Sequence, residues 1–255
     1  MNAKKRGSSS DEARRIRQEG HDIAKLFALM LGLSDDYQND LKAKKDVIDP
    51  SGDAHSVKAG VKKWQIFLYS MSRFDEFLTM NGIGDILISC INSFPSTYYE
   101  YQQNKEIYKK ALEPNMQLLA KKLSSIVMLR AFLEKSLFNG NEVNYLTVYH
   151  DGKFHVFWGK EVVKVMVENL TVTNSIARNP SQFSFQKVIL KFEGQNLGEI
   201  EMRNDSETHY REIRFNMVKP KAMALLFNSI KDHILFDEDI LVYGEAKKHF
   251  GRWKR

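Results

Sequence analysis

The run Lys45-Asp46-Val47-Ile48-Asp49-Pro50-Ser51-Gly52-Asp53-Ala54-His55-Ser56-Val57-Lys58-Ala59-Gly60 holds two short segments, Lys45–Asp49 and Ala54–Gly60, around Pro50-Ser51-Gly52-Asp53. Proline presets φ for a turn corner, glycine takes the left-handed position, and aspartate bonds its own backbone. The tetrapeptide is therefore a turn signal, and the pair reads as a β-hairpin. Side chains alternate along a strand, so Ser56 and Lys58 share one face of the second strand. A short turn sets Asp46 opposite that same face. Asp49 and Asp53 lie beside the turn, too far along to meet Lys58.

Upstream, residues 12–33 read as a helix, with Ile16, Ile23, Leu26, Phe27, Met30 and Leu31 on one stripe and an end near Gly32. Glu19 falls on that stripe, and an acid on a buried face needs a partner or a function. Downstream, Lys63–Tyr69 continues as strand. Residues 72–139 change to helical spacing, through Phe74, Phe77 and Leu78 and then from Met116 to Leu133, with Pro95 and Pro114 expected to divide the region into helices. Beyond Gly140 the chain turns strand-rich. Tyr145–Tyr149 and Phe154–Trp158 flank Asp151-Gly152, a second hairpin. Further strands are expected at Glu168–Thr173, Phe185–Phe192, Glu199–Arg203 and Glu212–Met217, and a helix from Lys221 to His233. The order predicts a mixed α/β (α+β) protein.

The 255 residues are 43% hydrophobic and 27% charged, ordinary for a chain that buries a real core. No apolar run approaches the roughly 18 residues of a membrane span, and no apolar segment follows the basic, serine-rich stretch Met1–Ser10. A cytoplasmic protein without a membrane segment is expected. Cys90, the single cysteine, sits among Ile86, Leu87, Ile88 and Ile91 and reads as a buried, inert thiol. The net charge of +6 comes from the ends: residues 1–10 and 246–255 carry bases and no acids, while the body between is about neutral. Both ends are expected to be basic tails, around one domain over 11–245 with a core at 12–69, a helical layer at 72–139 and a strand-rich part at 143–235. No glycine-rich phosphate loop, Gly-X-Ser-X-Gly elbow or dinucleotide fingerprint is present, which argues against kinases, P-loop NTPases, Rossmann dehydrogenases and α/β-hydrolases.

The hairpin resembles the catalytic hairpin of the PD-(D/E)XK nucleases, a superfamily that includes many type II restriction endonucleases. In that family an Asp and a (D/E)XK triplet occupy neighbouring antiparallel strands. Here Asp46 matches the first acid and Ser56-Val57-Lys58 the triplet, followed by Ala59-Gly60 and by Trp64-Gln65-Ile66. The resemblance covers roughly residues 12–69 and departs at Ser56, where the family usually has Asp or Glu. It implies a restriction-endonuclease-like fold and Mg²⁺-dependent hydrolysis of double-stranded DNA to a 5′-phosphate and a 3′-hydroxyl. It also implies roles. Asp46 and the Val57 carbonyl would hold the metal, with Glu19, Ser56 or Asp53 completing its shell, and Lys58 would orient the attacking water. Cutting a palindrome implies a homodimer.

A second constellation runs from Glu199-Ile200-Glu201-Met202-Arg203-Asn204 to His209-Tyr210-Arg211. Glu199, Glu201 and Arg203 share a strand face. Arg203, Asn204, His209 and Arg211 are residue types that read guanine and adenine edges in a major groove, and equally the types found on a solvated hairpin. Tyr98, Tyr99 and Tyr101 either stack on nucleic acid or cover a helix surface, and His150 and His155 lack metal-ligand spacing. The competing expectations are a non-enzymatic nucleic-acid-binding protein and a structural protein with no nucleic-acid role.

Overall fold

A computed structural model of the protein describes residues 10–37, 39, 44–70, 82–179 and 182–254. It is mixed α/β with two sheets, and its contacts divide the chain into two interleaved units. One comprises residues 1–61, 142–159 and 231–255, the other residues 62–141 and 160–230. Among the described residues no helix is long and apolar enough to cross a membrane.

The first unit begins with α1 (Ser10–Met30), which buries Ala24, Phe27 and Ala28 on one helix face, and Leu31, just past its end, continues that i, i+3, i+4, i+7 spacing. It ends where Gly32 takes φ +82° and the Leu33 N–H reaches back to the Ala28 carbonyl at 3.0 Å. The hairpin follows as β1 (Val47–Ile48) and β2 (Ala54–Lys58), antiparallel with Val47 opposite His55. Its turn is built by Asp49, whose Oδ1 accepts the N–H groups of Ser51 at 2.8 Å and Asp53 at 3.0 Å, with Gly52 at φ +85°. Strand β3 (Lys63–Tyr69) does not extend this sheet; it is an edge of the second unit's sheet.

The first unit resumes with β4 (Tyr145–His150) and β5 (Lys153–Trp158), the expected Asp-Gly hairpin. It closes with β10 (His233–Asp237), β11 (Ile240–Tyr243), the short helix α8 (Ala246–His249) and a 3₁₀ turn at Arg252–Lys254. The sheet order is β1-β2-β4-β5-β11-β10. β2 runs parallel to β4 and β5 parallel to β11, so each parallel neighbour is reached through an excursion into the second unit. The expected basic tail 246–255 is anchored in the core over its described residues: Ala246 and Phe250 are buried with Phe27, Val47, Tyr145 and Phe154. Burial of one aromatic ring outweighs the cost of ordering the charged neighbours, which stay at the surface. The expected helix to His233 stops earlier, and β10 and β11 were not anticipated.

The second unit holds α2 (Ile83–Asn92), α3 (Tyr98–Gln103), α4 (Lys105–Leu123), α5 (Ile126–Phe138), α6 (Gly159–Asn169) and α7 (Lys219–Ser229). Its antiparallel sheet has the order β3-β9-β8-β7-β6, from β6 (Thr171–Asn174), β7 (Lys187–Phe192), β8 (Gln195–Asn204) and β9 (Tyr210–Val218). Pro114 lies inside α4 rather than breaking it. Losing one backbone bond costs about 3 kcal/mol, and burial of Leu112, Met116, Leu119 and Leu123 on one stripe offsets it. The strand expected at Glu168–Thr173 is the end of α6 followed by β6, because Val162, Val163, Met166 and Val167 bury at helical spacing. Phe74, Phe77 and Leu78 lie outside the described residues. Cys90 is buried in α2, and burial pushes its thiol up to about 12, the inert state expected.

Candidate active site

Just before β1 the Asp46 N–H donates to the carbonyl of His55, the residue that faces Val47, at 2.9 Å, off the regular register of the ladder. The Asp46 carboxylate turns across β2 and its Oδ2 accepts the Val57 N–H at 2.7 Å and the Ser56 hydroxyl at 3.4 Å. Lys58 completes the cluster. Its Nζ donates to Ser56 Oγ at 2.6 Å and to the Val57 carbonyl at 3.4 Å, and stands 3.7 Å from Asp46 Oδ2. The alternation expected from the sequence thus brings Asp46, Ser56, Val57 and Lys58 together. Ser56 is buried, whereas the Asp46 and Lys58 side chains are 22% and 17% exposed. A carboxylate and an ammonium at a partly open rim can face a ligand while fixed by backbone bonds.

Glu19 does not join them. It is exposed on α1. The helix packs Phe27 against His55, ring centroids 5.1 Å apart, on the side of β2 opposite to Ser56 and Lys58. The expected placement of Glu19 on the buried face fails because the buried stripe is carried by Ala24, Phe27, Ala28 and Leu31. Asp53 is also engaged elsewhere: Arg252 Nη2 donates to its Oδ2 at 3.0 Å and the Tyr145 hydroxyl at 3.4 Å.

The opposite face of β2 carries a polar network that the sequence did not single out. His55 is fully buried, with Nδ1 2.8 Å from Thr147 Oγ1 and Nε2 3.4 Å from Asp49 Oδ2. A carboxylate only accepts, so Nε2 carries the proton toward Asp49 and Nδ1 takes the Thr147 hydroxyl. Burial holds the His55 pKa below its usual value, outweighing the opposing pull of Asp49, so the ring is neutral. The His55 ring stacks on Tyr145 at 4.6 Å and meets the edge of Phe250 at 5.6 Å. Burial, with Asp53 and Asp49 nearby, raises the Tyr145 hydroxyl. This network clamps the turn residue Asp49 to the strand that carries Ser56 and Lys58. Its one sequence signal was the odd-numbered parity of Asp49, Asp53 and His55.

The second constellation lies in the other unit. Glu199 and Glu201 sit on one face of β8 with Lys187, 3.1 Å from Glu199 Oε2 and paired also with Glu201; Arg214 pairs with Glu201. The Arg203 guanidinium reaches Asp205 at 3.4 Å and Glu212 at 3.8 Å. His209 is 3.3 Å from Glu212, and Arg211, at φ +58°, donates to Asn92 Oδ1 at 3.2 Å. Asn204 pairs with Tyr210 in the β8–β9 ladder and is half-buried. Arg203 and Arg211 thus each have a partner within the protein, whereas among the described residues His209 Nδ1 and Arg211 Nε are buried without a hydrogen bond. Tyr101 is buried against Phe94 and Tyr210, Tyr98 packs on Tyr210, and Tyr99 is exposed. Compared with protein-family models, curated proteins and solved structures, the chain matches none.

The donor set is compatible with a hard divalent cation in one form only. Among the described residues no group of three His, Cys, Asp or Glu side chains could hold a metal. Asp46 supplies one carboxylate and Val57 one carbonyl. Mg²⁺ is commonly bound through one or two carboxylates, with waters and substrate phosphate filling the shell; the cluster offers one carboxylate and one carbonyl for that mode, and the Lys58 ammonium lies 3.7 and 3.4 Å from them.

Proposed function

We propose that this chain is a Mg²⁺-dependent endonuclease of the type II restriction class, cleaving double-stranded DNA from a restriction-endonuclease-like hairpin. The observation that carries the reading is the cluster itself: an aspartate fixed by a backbone N–H 2.7 Å away, with a lysine ammonium 3.7 Å from the same oxygen, on adjoining antiparallel strands. Asp46 and the Val57 carbonyl would hold Mg²⁺, which when bound polarises the scissile phosphate as a Lewis acid.

Each residue of the chain then has a defined task. Asp46, locked by Val57 and Ser56, keeps its carboxylate at a fixed place without reorganisation. The Lys58 ammonium directs the attacking water by hydrogen bonding and meets the negative charge that develops on the phosphate oxygens. Ser56 accepts from Lys58 and donates to Asp46, holding the two opposite charges in register. Water attacks phosphorus and gives up a proton to solvent, the bond to the 3′-oxygen breaks, and that oxygen takes a proton from solvent, leaving a 5′-phosphate and a 3′-hydroxyl.

The test is incubation of wild type, Lys58→Ala and Asp46→Asn with unmethylated phage DNA, with and without Mg²⁺. Discrete fragments from the wild type alone, and only with Mg²⁺, are expected, with both variants down by at least about 100-fold. Full activity in folded Lys58→Ala would remove this site. DNA shifted on a gel but never cut would favour the non-enzymatic binding protein.

A further inference from the structure

Strand β10 ends the six-stranded sheet, and among the described residues it pairs with β11 on one side only. The Gly244 N–H donates to the Asp232 carbonyl at 2.8 Å. Hydrogen-bonding direction alternates along an antiparallel strand, so the next outward-facing backbone groups are those of His233 and Leu235. Such an edge is normally blunted by charge or covered. Here it carries Ile234 and Leu235, 45% and 61% exposed, on opposite faces of the strand. An edge with open backbone donors and acceptors and apolar side chains on both faces fits an added strand, which would cover both at once.

We propose that β10 is a self-association edge, taking β10 of a second copy of this chain in antiparallel pairing about a two-fold axis at Ile234. The bulge between Leu235 and Asp237 ends regular pairing on one side, which confines the register to His233–Leu235. In that register His233 of each copy exchanges two hydrogen bonds with Leu235 of the other, and the two Ile234 side chains meet at the axis as a non-hydrogen-bonded pair. Charge agrees with the arrangement. Lys231, exposed just before the strand, and Asp237, beyond the bulge at its far end, put a base and an acid at opposite ends of β10, so antiparallel pairing brings unlike ends together. The inference is independent of the chemistry assigned to Asp46 and Lys58.

Single-cysteine cross-linking tests the register, because Cys90 is buried and does not compete. Paired Cα atoms at a non-hydrogen-bonded site are about 4.5 Å apart, within disulfide reach. The two copies of residue 233, or of residue 235, are about 8 Å apart in this pairing, beyond that reach. Under mild oxidation Ile234→Cys is expected to form a disulfide dimer at least tenfold faster than His233→Cys or Leu235→Cys, and the wild type none. Sedimentation of the wild type is expected to show concentration-dependent dimer, weakened at least tenfold by Leu235→Lys. Equal cross-linking at all three positions, fastest linking at residue 235, or a wild type that stays monomeric would each overturn the proposal.

Discussion

Phe250→Ala is the perturbation that most directly tests whether residues 246–254 belong to the core. The Phe250 ring is 3% exposed and lies 4.7 Å from Phe236, 5.3 Å from Trp253, 5.6 Å from His55 and 5.7 Å from Tyr145. Its surroundings come from β2, β4, β10 and the 3₁₀ turn, so no single element can collapse into the space left behind. Truncation of a buried phenylalanine to alanine costs about 3–5 kcal/mol when a cavity persists. With a urea dependence of about 2 kcal/mol per molar, the midpoint should fall by roughly 2 M. The assay is urea unfolding followed by tryptophan emission, in which Trp253 and Trp158 report from the same unit. Lys248→Ala serves as the control; its side chain is 67% exposed and it should move the midpoint by almost nothing. A Phe250→Ala midpoint within 0.3 M of the wild type, a change of about 0.6 kcal/mol, would refute the assignment of this segment to the core.

Three further outcomes follow from particular residues. His55 and His155 both have pKa values lowered by burial, so the unfolded chain binds the extra protons; stability is full above pH of about 6.5 and should fall as pH drops below it, by up to about 1.4 kcal/mol per pH unit for each histidine. Unfolding midpoints of His55→Gln measured from pH 7 to 5 should show a shallower slope than the wild type, and an equally steep slope would count against the buried neutral ring. At Gly251, φ is +77° and a Cβ would lie 2.2 Å from Phe236 Cε2, so Gly251→Ala should lower stability by about 1–3 kcal/mol; a neutral effect in thermal unfolding would contradict the packing of Phe236. Glu19→Ala should leave both the unfolding midpoint and the DNA cleavage rate within twofold of the wild type, since the side chain is exposed on α1; a hundredfold loss of cleavage would return Glu19 to the site.

The hairpin was legible because its signals are local. Pro50-Ser51-Gly52-Asp53 names the turn, and parity alone places Ser56 and Lys58 on one face with Asp46. Glu19 was misplaced because helical periodicity defines a stripe but not its edges, and only packing shows that Ala24 and Ala28, weak in any hydrophobic pattern, lie at the centre of contact. β10 and β11 went unseen because two apolar runs of three or four residues after a helix resemble its continuation, and the turn Glu238-Asp239 lacks glycine or proline. Phe250 lay hidden among five bases, where charge counting suggested a solvated tail. The division of strands between two sheets depends on long-range pairing, which no window of sequence contains.

The order in which the sheet is strung has a consequence for biogenesis. β2 meets its parallel neighbour only after about ninety further residues have been made, and the ring of Phe250 that closes over His55 arrives nearly two hundred residues later. Domains emerge from the ribosome from the N-terminus onward, and contacts this distant in sequence form slowly. A nascent chain therefore carries Asp46 and Lys58 for most of its synthesis without the support that fixes them. In the proposed nuclease, the support for these residues would be complete only once Phe250 has been made, and a product terminated before it would lack that support.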